Sequence, residues 1–139
     1  MSQTVHATHS EGMAFDITVG GHTLTADSLA DFGGQDRGPT PKSFLLAGLA
    51  GCTGMDVTAI LGKMQMPYDS FSLQIDAESA DTHPHVYTKV HITYKFSGED
   101  LDAAKIEKAI GLSLNKYCPV AATMKHTAEI TYSLEINQS

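Results

Sequence analysis

The chain has 139 residues and a mass of 14.9 kDa, enough for one well-filled core and too little for two. Hydrophobic residues make up 42% and charged residues 18%, a globular balance that excludes wholesale disorder. Nine Lys and Arg against sixteen Asp and Glu leave a net charge of −7, so nucleic acid and anionic membrane surfaces are not expected partners.

The N-terminal run MSQTVHATHSEG lacks a basic segment followed by an apolar one, so no export signal is expected and the reading is a cytoplasmic protein with reduced thiols. Met13, Phe15, Ile17 and Val19 alternate, Gly20-Gly21 offers a turn, and His22, Leu24 and Ala26 complete a hairpin. Residues 30–39 carry Gly33, Gly34 and Gly38 among charges and read as a loop. Thr40-Pro41 then supplies a cap and a first-turn proline for a helix running to about Met64, with Leu45, Leu49, Cys52 and Ala59 near one face. Gly48, Gly51 and Gly54 inside it each cost about 0.8–1 kcal/mol relative to Ala, so tertiary packing must hold the helix. Its uncharged stretch, Ser43 to Met55, falls short of the about 20 residues that span a bilayer.

Phe71, Leu73, Ile75 and Ala77, then Val86 through Phe96, alternate as two one-sided antiparallel strands around the turn Asp81-Thr82-His83-Pro84. Ile106, Ile110, Leu114 and Tyr117 mark a second helix from about Leu101 that Cys118-Pro119 breaks. Pro119 opens a short helical turn, and Ala128 to Ile136 alternate as a last strand. The expected order is β-β-α-β-β-α-β: one α+β domain over 1–139, its helices set against a five-stranded antiparallel sheet. A long helix that is apolar all round wants burial on several sides, which predicts a homodimer with these helices inside.

Two cysteines form no CxxC pair and no zinc quartet. Cys52 sits among glycines, which suits close approach of a backbone or ligand; a small buried core residue is the plain alternative. Cys118 precedes Pro119, where a helix N-terminus lowers a thiol pKa; the plain alternative is a residue closing a helix end. Cys52 lies about three turns into its helix, beyond the dipole's reach, so its activation needs a cation. Arg37 is the chain's only arginine and lies in the loop just ahead of that helix; a solvated loop arginine is the alternative. Asp56, one turn after Cys52, opposes a thiolate if it faces the same way. His6-x-x-His9 in the N-terminal tail and His83-Pro-His85 in a turn lack a third ligand, so no metal site is expected.

SFLLAGLAGCTGMDVTAIL, with Cys52 in mid-helix, and the later KYCPV around Cys118 together resemble the osmotically inducible protein C and organic hydroperoxide resistance (OsmC/Ohr) family over nearly the whole chain. The resemblance implies an OsmC-like α+β fold, with antiparallel sheets packed on a long central helix and a second helix in an intertwined homodimer. It also implies a thiol-dependent peroxidase acting on organic hydroperoxides, with no cofactor and an external dithiol as reductant; the apolar helix around Cys52 favours those substrates over hydrogen peroxide. In that scheme Cys52 is the peroxidatic thiol, Cys118 resolves its sulfenic acid as an intramolecular disulfide, and an arginine supports the first thiolate, a role this chain offers to Arg37. Hydroperoxide-specific members carry Asn-Pro-Glu before the helix; Thr40-Pro41-Lys42 stands there instead, which resembles a less characterised OsmC-like branch and makes Lys42 a rival cation. A non-enzymatic dimeric OsmC-like binding protein and a hot-dog-like acyl thioesterase are the competing functions.

Overall fold

A computed structural model describes residues 1–138. The chain falls into two compact units, residues 1–47 and residue 48 onward.

The first unit is an antiparallel meander of β1 (Val5–His9), β2 (Phe15–Val19) and β3 (His22–Ala26). The hairpin turns on Gly20 and Gly21, both at positive φ (55° and 79°), with Val19 opposite His22. Two successive left-handed residues give the turn whose twist matches that of the strands it joins. Strand β1 is absent from the pattern-based reading, because its alternation amounts to Val5 and Ala7 alone, too little to mark a strand. It pairs with β2 from Val5↔Val19 to His9↔Phe15, so the ladder, rather than its own side chains, makes it a strand.

The loop that follows is ordered by one acid. Asp27, 3% exposed, accepts backbone N–H bonds from Ser28 (2.7 Å), Gln35 (3.0 Å) and Arg37 (3.2 Å). To bring those groups together, Gly34 and Gly38 must run against other backbone: a Cβ would stand 1.6 Å from the Ser28 carbonyl oxygen at Gly34 and 2.0 Å from that of Thr25 at Gly38. These glycines are required by close approach.

Helix α1 (Ser43–Lys63) begins two residues beyond Pro41. Its entry is a tighter turn, with Ser43, Phe44 and Leu45 bonding to carbonyls three residues back. Its buried stripe is Leu49, Thr53, Val57 and Leu61, residues four apart. Cys52 is half-buried at the flank, and Leu45 and Ala59 are exposed, so the expected inward face is rotated by one residue. By length and composition the whole helix, with a mean hydropathy of 1.7 over an 18-residue window, is apolar enough to cross a bilayer, where its uncharged part is too short.

In the second unit β4 (Ser70–Ser79) and β5 (Tyr87–Ser97) pair antiparallel, burying Val90, Ile92, Tyr94 and Phe96 as the alternation predicts. Phe71 and Phe96 stack across the pair with ring centroids 4.3 Å apart. Helix α2 (Ala103–Leu112) is capped by the Asp102 carboxylate, which accepts from the Ala104 and Lys105 N–H groups. A π-helical turn (Ser113–Tyr117), α3 (Pro119–Met124) and β6 (Glu129–Ile136) follow.

Two differences from the sequence reading stand out. The strands form two three-stranded sheets rather than one of five, and β6 runs parallel to β5, with Lys89 opposite Glu129 and Phe96 opposite Ile136. The direction follows from the connection: the chain leaves β5, passes through α2, the π turn and α3, and returns to the same sheet as a crossover. Alternation in residues 128–136 marks a strand and carries no information on its direction.

Candidate functional site

The site is built where α1 meets the π turn. On α-helical spacing, Ile106, Ile110 and Leu114 would be followed inward by Tyr117. Instead Tyr117 is 51% exposed and Cys118 is 3% exposed. The Cys118 N–H bonds to the Ser113 carbonyl, five residues back, at 2.8 Å, and this extra residue in the turn carries Cys118 into the interior in place of Tyr117. Cys118 then caps α3, its Sγ accepting from the Ala121 N–H at 3.3 Å.

On α1, Cys52 and Asp56 are four residues apart and share a face. The sulfurs of Cys52 and Cys118 and a carboxylate oxygen of Asp56 all lie within 4.8 Å of one another. Both cysteines are free thiols. Burial pushes the Cys118 thiol up to about 11, with the Cys52 sulfur adding to the effect and the Ala121 N–H opposing it. The helix end was expected to lower this thiol. It does act in that direction, but α3 has only six residues and desolvation outweighs it.

Behind the sulfurs runs a string of hydroxyls that sequence reasoning did not find. Ser113 Oγ donates to Asp56 Oδ2 (2.9 Å), Thr53 Oγ1 lies 2.8 Å from Ser113 Oγ, and Tyr94 OH lies 2.7 Å from Thr53 Oγ1. Each hydroxyl has one proton, and the carboxylate can only accept. Ser113 therefore spends its proton on Asp56, Thr53 donates to Ser113, and Tyr94 donates to Thr53. The charge of Asp56 sets the direction of the whole string. Thr53, Ser113 and Tyr94 are each 0% exposed, and burial is the main reason the Tyr94 hydroxyl is pushed up to about 12. Thr53 sits four residues before Val57 in the buried stripe. A polar residue at such a core position was the available signal.

Residues 33–133 match the family model for OsmC-like proteins. The chain belongs to the OsmC-like protein family. It is similar to protein YhfA of Escherichia coli K12, 29% identical over 127 residues that cover 91% of this chain and 92% of that one. Among solved structures, a hypothetical protein from Aquifex aeolicus VF5 superposes with a TM-score of 0.83 at 24% identity, with 99% of each chain covered. The organic hydroperoxide resistance protein OhrB of Bacillus subtilis superposes with a TM-score of 0.64 at 18% identity, over 97% of this chain and 98% of that one. These likenesses fix the OsmC-like α+β fold, in which α1 is the long helix.

The other candidate residues of this OsmC-like chain are placed as follows. Arg37 belongs to the first unit, where Nη1 donates to the Glu11 carbonyl (2.9 Å), Nη2 donates to Gln35 Oε1 (2.5 Å), and the guanidinium pairs with the Glu11 carboxylate at 3.5 Å. His6 and His9 lie on the exposed β1, and the His83 and His85 rings contact each other in the turn before β5. Neither histidine pair belongs to the acid and thiol cluster. Beside Cys52 in the chain, an open groove of ≈ 500 Å³ is lined by residues including Gly51, Gly54, Met55, Thr58, Phe71 and Leu73. Neither sulfur lines it.

Proposed function

We propose that this OsmC-like protein is a thiol-dependent peroxidase that reduces organic hydroperoxides. The observation that carries the reading is the convergence of Cys52 and Cys118, far apart in sequence, to within 4.8 Å sulfur to sulfur. A disulfide needs the sulfurs to close to roughly 2.05 Å, a movement of less than about 3 Å.

Cys52, the more accessible thiol, attacks the terminal peroxide oxygen as its thiolate. An S–O bond forms, the O–O bond breaks, and the departing alkoxide takes a proton to become an alcohol. Cys118 then attacks the Cys52 sulfenic acid: the S–S bond forms, the S–O bond breaks, and hydroxide leaves with the Cys118 proton as water. An external dithiol returns the disulfide to two thiols. The apolar residues of α1 around Cys52, Leu49 and Met55 among them, favour organic substrates over hydrogen peroxide. Arg37 is the proposed supporting cation, on the family resemblance and on its being the chain's only arginine.

The proposal includes a cytoplasmic homodimer. A dithiol that must be returned to its reduced form suits that compartment, and α1 leaves Leu45 and Met55 52% and 75% exposed, apolar surface that a second subunit would cover. The test is consumption of cumene hydroperoxide by wild type and Cys52→Ser with a panel of dithiols. Turnover by wild type that falls about 1,000-fold or more in the variant is expected. Equal rates would end the reading.

A further inference from the structure

We propose that reduced Cys52 and Cys118, together with Asp56, form a binding site for a zinc-like divalent transition-metal ion. Three observations converge on it. The first is the donor set: two sulfurs and a carboxylate oxygen mutually within 4.8 Å. Tetrahedral zinc with thiolate bonds of about 2.3 Å places its two sulfurs about 3.8 Å apart, so the sulfurs need to close by about 1 Å at most. Two thiolates with one carboxylate select zinc over the hard ions magnesium and calcium.

The second is the support behind the donors. Ser113 Oγ holds Asp56 Oδ2 at 2.9 Å, and the string through Thr53 to Tyr94 holds Ser113. This orients the carboxylate, as in metal sites where an outer hydrogen bond orients the ligand. The Ala121 N–H on Cys118 Sγ orients that sulfur in the same way. The third is charge: the carboxylate of Asp56 stands with the two sulfurs, and a divalent cation attracts it and both thiolates together.

Binding exchanges two thiol protons for one metal ion, leaving a fourth position for water. Oxidation to the disulfide removes both thiolates and so expels the ion. A bound ion would in turn withhold both thiols from peroxide, a consequence that rests on the peroxidase reading, whereas the site itself does not.

The experiment is anaerobic titration of the reduced, metal-stripped protein with Co2+, followed by sulfur-to-cobalt charge-transfer absorption and by displacement with Zn2+. A band saturating at one equivalent per chain is expected. Cys52→Ser and Cys118→Ser should each weaken binding by about 100-fold or more, and Asp56→Asn and Ser113→Ala by about 10–100-fold. The unmutated protein oxidised with diamide serves as a control that needs no refolding, and it should give no band. Absence of the band in reduced wild type, or a band that survives Cys118→Ser or diamide oxidation, overturns the site. No peroxide enters the titration, so its outcome is independent of the peroxidase test.

Discussion

Two acids organise this chain, and they do so in opposite ways. Asp27 is well occupied: three backbone N–H groups converge on its carboxylate, which holds its pKa below the ordinary value of 3.8, with the Gln35 and Ser28 bonds as the main causes. Those bonds hold residues 27–37 in place. Asp56 is less engaged: among the described residues its carboxylate accepts one hydrogen bond, from the Ser113 hydroxyl, and lies with two free thiols. A satisfied carboxylate is a structural staple, whereas one left with spare acceptor capacity beside nucleophiles is a place for chemistry.

That contrast can be broken in several ways. The largest effect is expected at Arg37, if the loop's order serves the thiols. Arg37→Ala should slow sulfenic acid formation at Cys52 by about 10–1000-fold, roughly 1.4–4 kcal/mol of barrier, with Arg37→Lys partly active. Dimedone trapping after a single peroxide addition gives the rate. If the rate does not change in Arg37→Ala and drops in Lys42→Ala, the role moves to Lys42.

Gly38→Ala probes the staple through the backbone. Its new Cβ would meet the Thr25 carbonyl at 2.0 Å, so the loop must open at a cost of about 2–4 kcal/mol. Chemical denaturation, together with proteolysis at residues 27–39, reads that loss. Thr53→Val keeps the shape of α1 and cuts the hydroxyl string, leaving the buried Tyr94 and Ser113 hydroxyls short of a partner at a cost of about 1–3 kcal/mol. Denaturant midpoints measure it, and an unchanged midpoint would mean that water replaces Thr53.

The smallest effect is the pH dependence of Asp27. Because its folded pKa is depressed, its contribution is present above the ordinary carboxylate range and is lost as pH falls through the depressed value. Wild type should therefore exceed Asp27→Asn in Tm near neutrality, and the gap should close in acid. A gap independent of pH would show that the charge of Asp27 does not matter.

Much of this was legible in the sequence, for physical reasons that also set the limit. Strong alternation in residues 71–77 and 86–96 and the Gly20-Gly21 turn marked strands, because side-chain period and turn geometry are local properties. Strand β1 was not legible because its pairing depends on β2, and the parallel direction of β6 depends on a crossover that no single window contains. The pair Cys52 and Cys118 could be read from two motifs taken together. The π turn that brings Cys118 inward could not, since α-helical spacing points to Tyr117. Asp56 was visible one turn after Cys52, but its wiring to Ser113 and Tyr94 joins three elements distant in sequence.

The central claim is that Cys52 and Cys118 act as one redox pair. Its most direct test is peptide mapping of the reduced protein after one equivalent of cumene hydroperoxide. The account predicts a disulfide linking the Cys52 and Cys118 peptides in wild type, and a single added oxygen on Cys52 in Cys118→Ser. Two unlinked cysteines in wild type, or oxygen added at Cys118 with Cys52 intact, would contradict it.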